Sequence, residues 1–211
     1  MANLDLDEQE QLAALKDWWA HRGWLVISAV VVAALGVSGW QGWNYWQTSQ
    51  SIEASDLHDT LGRAVQTNDA KQVRDASGML LEKFPRTTYA SLGAFTSARF
   101  FFDRGDLKGA KAQLQWVLDK SDSAEFRDIA RLRLASVLID EKSYDEALKL
   151  LEAKHGEPFD AQYALLKGDA LLANNQPAEA RTAWKLALEK ADSRDAAFRD
   201  GVQMRLDALG G

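Results

Sequence analysis

The sequence predicts an all-α protein: one amino-terminal transmembrane helix, then a solenoid of helical hairpins ending in a closing helix. Three observations predict it. Thirty consecutive residues, Gly23 to Ile52, contain no Asp, Glu, Lys or Arg. Beyond them, apolar residues recur at helical spacing and no alternating β-branched run occurs. A short motif then returns at intervals of 37 and 33 residues, which are periods of helical solenoids.

The apolar stretch comes first. A helix over residues 24–46 rises about 35 Å, enough to cross a hydrocarbon core of about 30 Å. Six of the eight tryptophans lie between Trp18 and Trp46, on both flanks of the run, where an amphipathic ring gains from the lipid–water boundary. A cleaved secretory signal would begin with basic residues and have a shorter apolar core. Here Asp5, Asp7, Glu8, Glu10 and Asp17 precede the span against Lys16 alone. A buried core helix would rarely go so long without charge.

Orientation follows from basic residues near the span. Lys16 and Arg22 flank it on the amino-terminal side, and the first basic residue beyond it is Arg63. The expectation is an amino-terminal tail over residues 1–22 in the cytoplasm, a membrane helix over 23–48, and residues 49–211 on the opposite side. Within the span, Ala34, Ser38 and Gly42 fall four residues apart, forming a stripe of small side chains that another membrane helix could approach. The chain has no cysteine, so it cannot be acylated as a lipoprotein of the usual type.

The remainder is acidic. Subtracting Lys16, Arg22 and the five acids before the span from 25 basic and 31 acidic residues leaves a net charge near −3, which argues against a nucleic-acid surface. Its helical runs are separated by turn signals at residues 67–69, 104–106, 141–143 and 173–176, with Asp106, Ser143 and Gln176 next to the starts of second helices. Gly105 to Ala110, Lys142 to Ala147 and Asn175 to Ala180 align without gaps, and a weaker unit places Val73 in register upstream. Counted back from the last alanine, Ala98, Ala135 and Gly168 supply a small residue where two helices would cross. Phe101, Leu138 and Leu171, then Leu114, Leu151 and Trp184, supply large ones to fill the space between hairpins. The upstream unit fits worst, with Leu61 at the small position. A closing helix capped by Ser193 and running to about Leu209 presents Ala197, Phe198, Val202, Leu206 and Leu209 to the last hairpin.

No enzymatic constellation emerges. His21, His58 and His155 are scattered, and there is no H-E-x-x-H, G-x-S-x-G or phosphate-binding loop. His58 beside Asp59 and His155 near Glu157 read as solvated positions rather than metal ligands, and Arg127, Arg131 and Arg133, mixed with Glu125 and Asp128, read as a solvated face. The expectation is a protein with no catalytic residues, metal, cofactor or small-molecule substrate.

The spacing of small and large residues resembles the tetratricopeptide repeat over residues 52 to about 190. In that family the first helix of each hairpin lines a concave surface. Carried over, the resemblance makes Phe95, Arg99, Phe102, Leu132, Ile139 and Leu165 candidate protein-binding residues in a largely apolar groove, with Arg99 its one basic residue. Two readings of the groove stay open: an open site for a protein segment, or a face closed by the neighbouring hairpin. The order of parts, an acidic tail, a Trp-rich anchor, about four repeats and a closing helix, resembles the YfgM-type ancillary subunits of the SecYEG translocon. That resemblance implies a single-pass protein of the bacterial inner membrane with a periplasmic repeat domain. It further implies association with the translocon and a PpiD-type membrane-anchored chaperone, and help in passing emerging chains to periplasmic chaperones. The alternative is a membrane-tethered repeat scaffold for another envelope assembly, such as cell division or outer-membrane biogenesis.

Overall fold

The computed structural model describes residues 6–210, and side chains from residue 10. Asp5 and Gly211 lie outside them, as do the side chains of Asp7 and Glu8. Among the described residues there are helices and turns but no strand. The chain divides into two compact units, Met1–Gln50 and Ser51–Gly211.

The first unit is the amino-terminal part of helix α1 (Leu6–Gln66). Its large apolar side chains stand exposed, among them Trp24, Val32, Leu35 and Trp40. This helix is long and apolar enough to cross a membrane, and almost none of its apolar window is buried within the protein. An apolar surface of this kind has to be covered by a phase other than water.

The second unit contains the end of α1, then α2 (Ala70–Lys83), α3 (Thr88–Asp103), α4 (Leu107–Lys120), α5 (Ala124–Asp140), α6 (Tyr144–Leu151), α7 (Asp160–Ala173), α8 (Pro177–Lys190) and α9 (Ala196–Ala208). Four hairpins follow one another, α1/α2 to α7/α8, and α9 packs on the last. The four turns within hairpins share one backbone device. Asn68, Gly105, Lys142 and Asn175 each adopt a φ near +60° to +77°. In each turn the next residue donates its N–H five positions back: Asp69 to Ala64, Asp106 to Phe101, Ser143 to Leu138 and Gln176 to Leu171. These bonds close the first helix with a left-handed residue and satisfy carbonyls that would otherwise be orphaned. Asp69 and Asp106 then cap the following helix through their carboxylates, whereas Ser143 and Gln176 occupy the same place without a side-chain bond.

Packing confirms the repeat register. Ala98 and Ala135 are buried where hairpin helices cross, and a Cβ on Gly168 would lie 2.3 Å from Trp184 Cδ1. The large positions, Phe101, Leu138, Leu171, Leu114, Leu151 and Trp184, are all buried. Each such side chain contributes about 1.5–3 kcal/mol of transfer free energy. The irregular first repeat buries Leu61 completely, and the close approach is made instead at Gly93 of α3, whose Cβ would meet Leu80 Cδ2 at 2.3 Å.

Several expectations need correction. Ser193 does not cap the closing helix: Asp192 accepts the N–H of Arg194 and draws Ser193 into a turn, and Asp195 caps α9 by accepting from Phe198 N. Ala197 is exposed, while Val202 and Leu206 are buried. Arg131 does not lie on a solvated face. It bonds Asp128 at 2.6 Å and Tyr163 Oη at 3.1 Å, and Tyr163 donates to the Asp128 carbonyl. Nor are the two histidines simply solvated. His155 stacks on Tyr163 with ring centroids 3.7 Å apart, and the ring of His58 lies 5.8 Å from that of Tyr89.

Candidate protein-binding groove

The site is built on α3 and α5, the first helices of two successive hairpins. Ala98 and Ala135, the small residues of the repeat, are buried in the main core, and α3 and α5 pack on their own hairpin partners α4 and α6. Thr87 and Ser123 fix the starts of these helices by accepting N–H bonds from Ala90 and Phe126. Ser97, fully buried on α3, donates its hydroxyl to the carbonyl of Gly93 and so meets its own hydrogen-bonding need within the helix.

Two cavities open on this surface. One, of about 530 Å³, lies between α3 and α5 and is lined by Ala98, Phe102, Leu114 and Val137 with Arg99 and Arg133. The second, of about 850 Å³, reaches toward α1 and includes Val65, Phe95 and Phe100 with Arg99, Arg104 and Arg133. Arg99 and Arg133 line both. An apolar floor with a few fixed polar groups is the ordinary make-up of a binding cleft.

The six residues nominated from the sequence divide into three groups. Phe102 and Arg99 line the first cavity, and Phe95 and Arg99 the second. Phe95 is only 7% exposed: it belongs to the main core, meets Phe126 edge-on at 5.9 Å and has the Arg133 guanidinium 4.6 Å above its ring. Leu132 and Ile139 pack on the same core from partly buried positions, and Leu165 packs on the core shared by α7, α8 and α9. These three line neither cavity. These two cavities are therefore formed by the second and third hairpins and the end of α1.

At the fourth hairpin, α7/α8, the corresponding face is used internally. Asp169 accepts Trp184 Nε1 at 3.1 Å and Arg205 Nε at 2.9 Å, tying α7 to α8 and α9. Arg181 and Arg199 add bonds to the carbonyls of Leu209 and Leu188. The closing helix thus has specific anchors besides its apolar face.

Arg133 was not singled out by the sequence as a groove residue. Its guanidinium lies over Phe95, and among the described residues no carboxylate pairs with it. Desolvation against the groove wall, and then the like charge of Arg99, hold its pKa below the usual value. Arg99 instead bonds Asp103 at 2.8 Å. On the membrane helix, Ala34, Ser38 and Gly42 are all exposed, and a Cβ at Gly42 would meet nothing within 4 Å. Among the described residues, no group of three or more His, Cys, Asp or Glu is placed to hold a metal ion.

Comparison with known proteins bears on the whole chain. A family model described as a tetratricopeptide repeat-like domain matches residues 16–211. A protein of Haemophilus influenzae named ancillary SecYEG translocon subunit is 32% identical over 208 residues, spanning 97% of this chain and 98% of its own length. The chain belongs to this family. Ancillary SecYEG translocon subunits of Escherichia coli, 30% identical over 96% of this chain and 97% of the relative, and of Neisseria gonorrhoeae, 29% identical over 97% and 98%, match it in the same way. The likeness to these ancillary subunits extends through the apolar stretch as well as the repeats. With a helix among the described residues long and apolar enough to span a bilayer, the chain is a membrane-anchored member of the family.

Proposed function

We propose that this chain is a non-catalytic ancillary subunit of the SecYEG translocon, tethered in the bacterial inner membrane, that binds protein segments at the groove formed by α3 and α5. The observation carrying this reading is the whole-length likeness to relatives named for that role, which covers anchor and repeats together. The bias of Lys16 and Arg22 to one side of the span supports a cytoplasmic amino terminus, with the repeat domain in the periplasm.

Tethering gives the groove its usefulness. A single anchor holds the domain at an effective concentration of about millimolar beside its partner, so weak contacts suffice and release stays fast. Phe102 and the neighbouring apolar wall supply the area, while the arginines supply direction. In this reading a PpiD-type membrane-anchored chaperone is a neighbour, and the domain helps pass emerging chains to periplasmic chaperones. The exposed stripe Ala34, Ser38 and Gly42 offers the approach to another membrane helix.

Affinity purification of the full chain from inner membranes in mild detergent tests the association. SecYEG should copurify, and recovery of a different envelope assembly without SecYEG would refute it. Protease added to spheroplasts tests the orientation: the repeat domain should be digested, and its protection until the inner membrane is broken would reverse the topology.

A further inference from the structure

We propose that the groove between α3 and α5 recognises an acidic-apolar peptide segment of a partner protein, whose side-chain carboxylates are read by Arg133 and Arg99. This rests on the groove being the protein-binding surface and specifies what it selects.

Charge complementarity carries the inference. The repeat domain is acidic overall, yet the lining of the two cavities holds Arg99, Arg104 and Arg133 against Asp103 alone. Arg99 is engaged by Asp103, and Arg104 donates to Asn68 and lies 4.9 Å from the Phe100 ring centre. Arg133 has only the face of Phe95. It is therefore an exposed cation beside both cavities, repelled by Arg99 and lacking a counter-charge. A carboxylate laid between the two guanidinium groups would relieve that repulsion and could be bonded through paired N–H donors. The surrounding walls, Phe102, Leu114 and Val137, reward apolar neighbours on the same segment. Because Arg99 and Arg133 border both cavities, with Arg104 further along, the cationic track suits carboxylates spaced along a chain rather than a single chain terminus.

The test uses the full chain in detergent and a short dye-labelled, carboxy-amidated peptide in which Asp alternates with Leu and Phe. Its controls are the same peptide with Asn for Asp and the Asn peptide with a free carboxy terminus. Fluorescence anisotropy should show the Asp peptide binding about tenfold or more tightly than either control, with affinity falling as salt rises. Arg133→Gln should abolish that preference, while Phe102→Ala should weaken all three peptides. Circular dichroism is recorded for each variant, and Arg133→Lys, which keeps the charge but not the paired donors, should retain part of the preference. If Asp and Asn peptides bind equally and Phe102→Ala weakens both, the groove binds protein without reading carboxylates and this proposal falls alone. A free-terminus Asn peptide that matches the Asp peptide would overturn it in favour of a terminal carboxylate. Binding of the Asp peptide that neither variant disturbs would remove the groove as the site, and with it both readings. The same holds if none of the peptides binds.

Discussion

Gly168→Ala should destabilise the repeat domain although alanine is the better helix former. The new methyl would sit 2.3 Å from Cδ1 and 2.4 Å from Nε1 of Trp184, an indole that is 1% exposed and cannot swing into solvent. Displacing it costs about 1–3 kcal/mol in overpacking. Its N–H would also leave Leu165 O and the Asp169 carboxylate, now 3.2 and 3.1 Å away, at a further cost of about 1–3 kcal/mol. Helix propensity returns about 1 kcal/mol, so the net loss is about 1–5 kcal/mol, with about 3 kcal/mol at the middle of that range. For a domain of this size the mid-range loss lowers the midpoint by about 6–12 °C. Thermal unfolding of the full chain in detergent, followed by far-ultraviolet circular dichroism, measures it. Gly78→Ala on α2 is the matched control, since a Cβ there meets nothing within 4 Å, and it should be stabilising by up to about 1 kcal/mol. Gly93→Ala should fall between, because its Cβ meets the end of the Leu80 side chain. If Gly168→Ala were as stable as the parent, the crossing of α7 and α8 would not be set by this contact, and the packing argument would fail.

Asp169→Ala should release the closing helix, because it removes the acceptor shared by Trp184 and Arg205; hydrogen exchange of the α9 amides should accelerate well before that of α3, with a global cost of about 1–3 kcal/mol. Stability should also decline at alkaline pH. Burial first, partly opposed by Arg131, raises the Tyr163 phenol above its ordinary pKa of 10.0, so the folded state holds that proton longer than the unfolded chain. The contribution is complete below pH 10 and is lost as pH rises from there through the raised value; Tyr163→Phe should flatten this part of a denaturation profile while costing about 1–2 kcal/mol at neutral pH through its lost hydrogen bonds.

The repeats were legible because their signals are local. A left-handed residue must follow each first helix, and Asn68, Gly105 and Asn175 are types that accept that backbone. Lys142 accepts it without such a preference, and was located by the motif around it. The small and large positions were equally readable, since a residue that must fit between two helices is constrained in volume. The groove was less legible. Arg131 and Arg133 are neighbours in sequence, but two residues on a helix differ by about 200°, so they face opposite ways. Arg131 turns into the Asp128 and Tyr163 network, and Arg133 lies over Phe95 beside the cavities. Grouping them as one solvated patch hid both roles; mapping each onto the α5 face already assigned to the groove would have separated them. Leu132, Ile139 and Leu165 show the converse limit, because a position facing the inner surface can still be covered by its neighbours.

The central claim is that this membrane-anchored subunit meets proteins of the secretion machinery at the α3/α5 groove. Its most direct test is site-specific photocrosslinking in intact inner membranes during protein export. The crosslinker is placed at Phe102 and Ser136 in the groove and at Lys108 and Lys149 outside the two groove cavities. The account predicts that the groove positions form adducts with translocon subunits, associated chaperones or emerging chains, and that the other two positions form far fewer. Adducts with SecYEG from Lys108 and Lys149 but none from Phe102 and Ser136, in protein that remains folded and inserted, would contradict it.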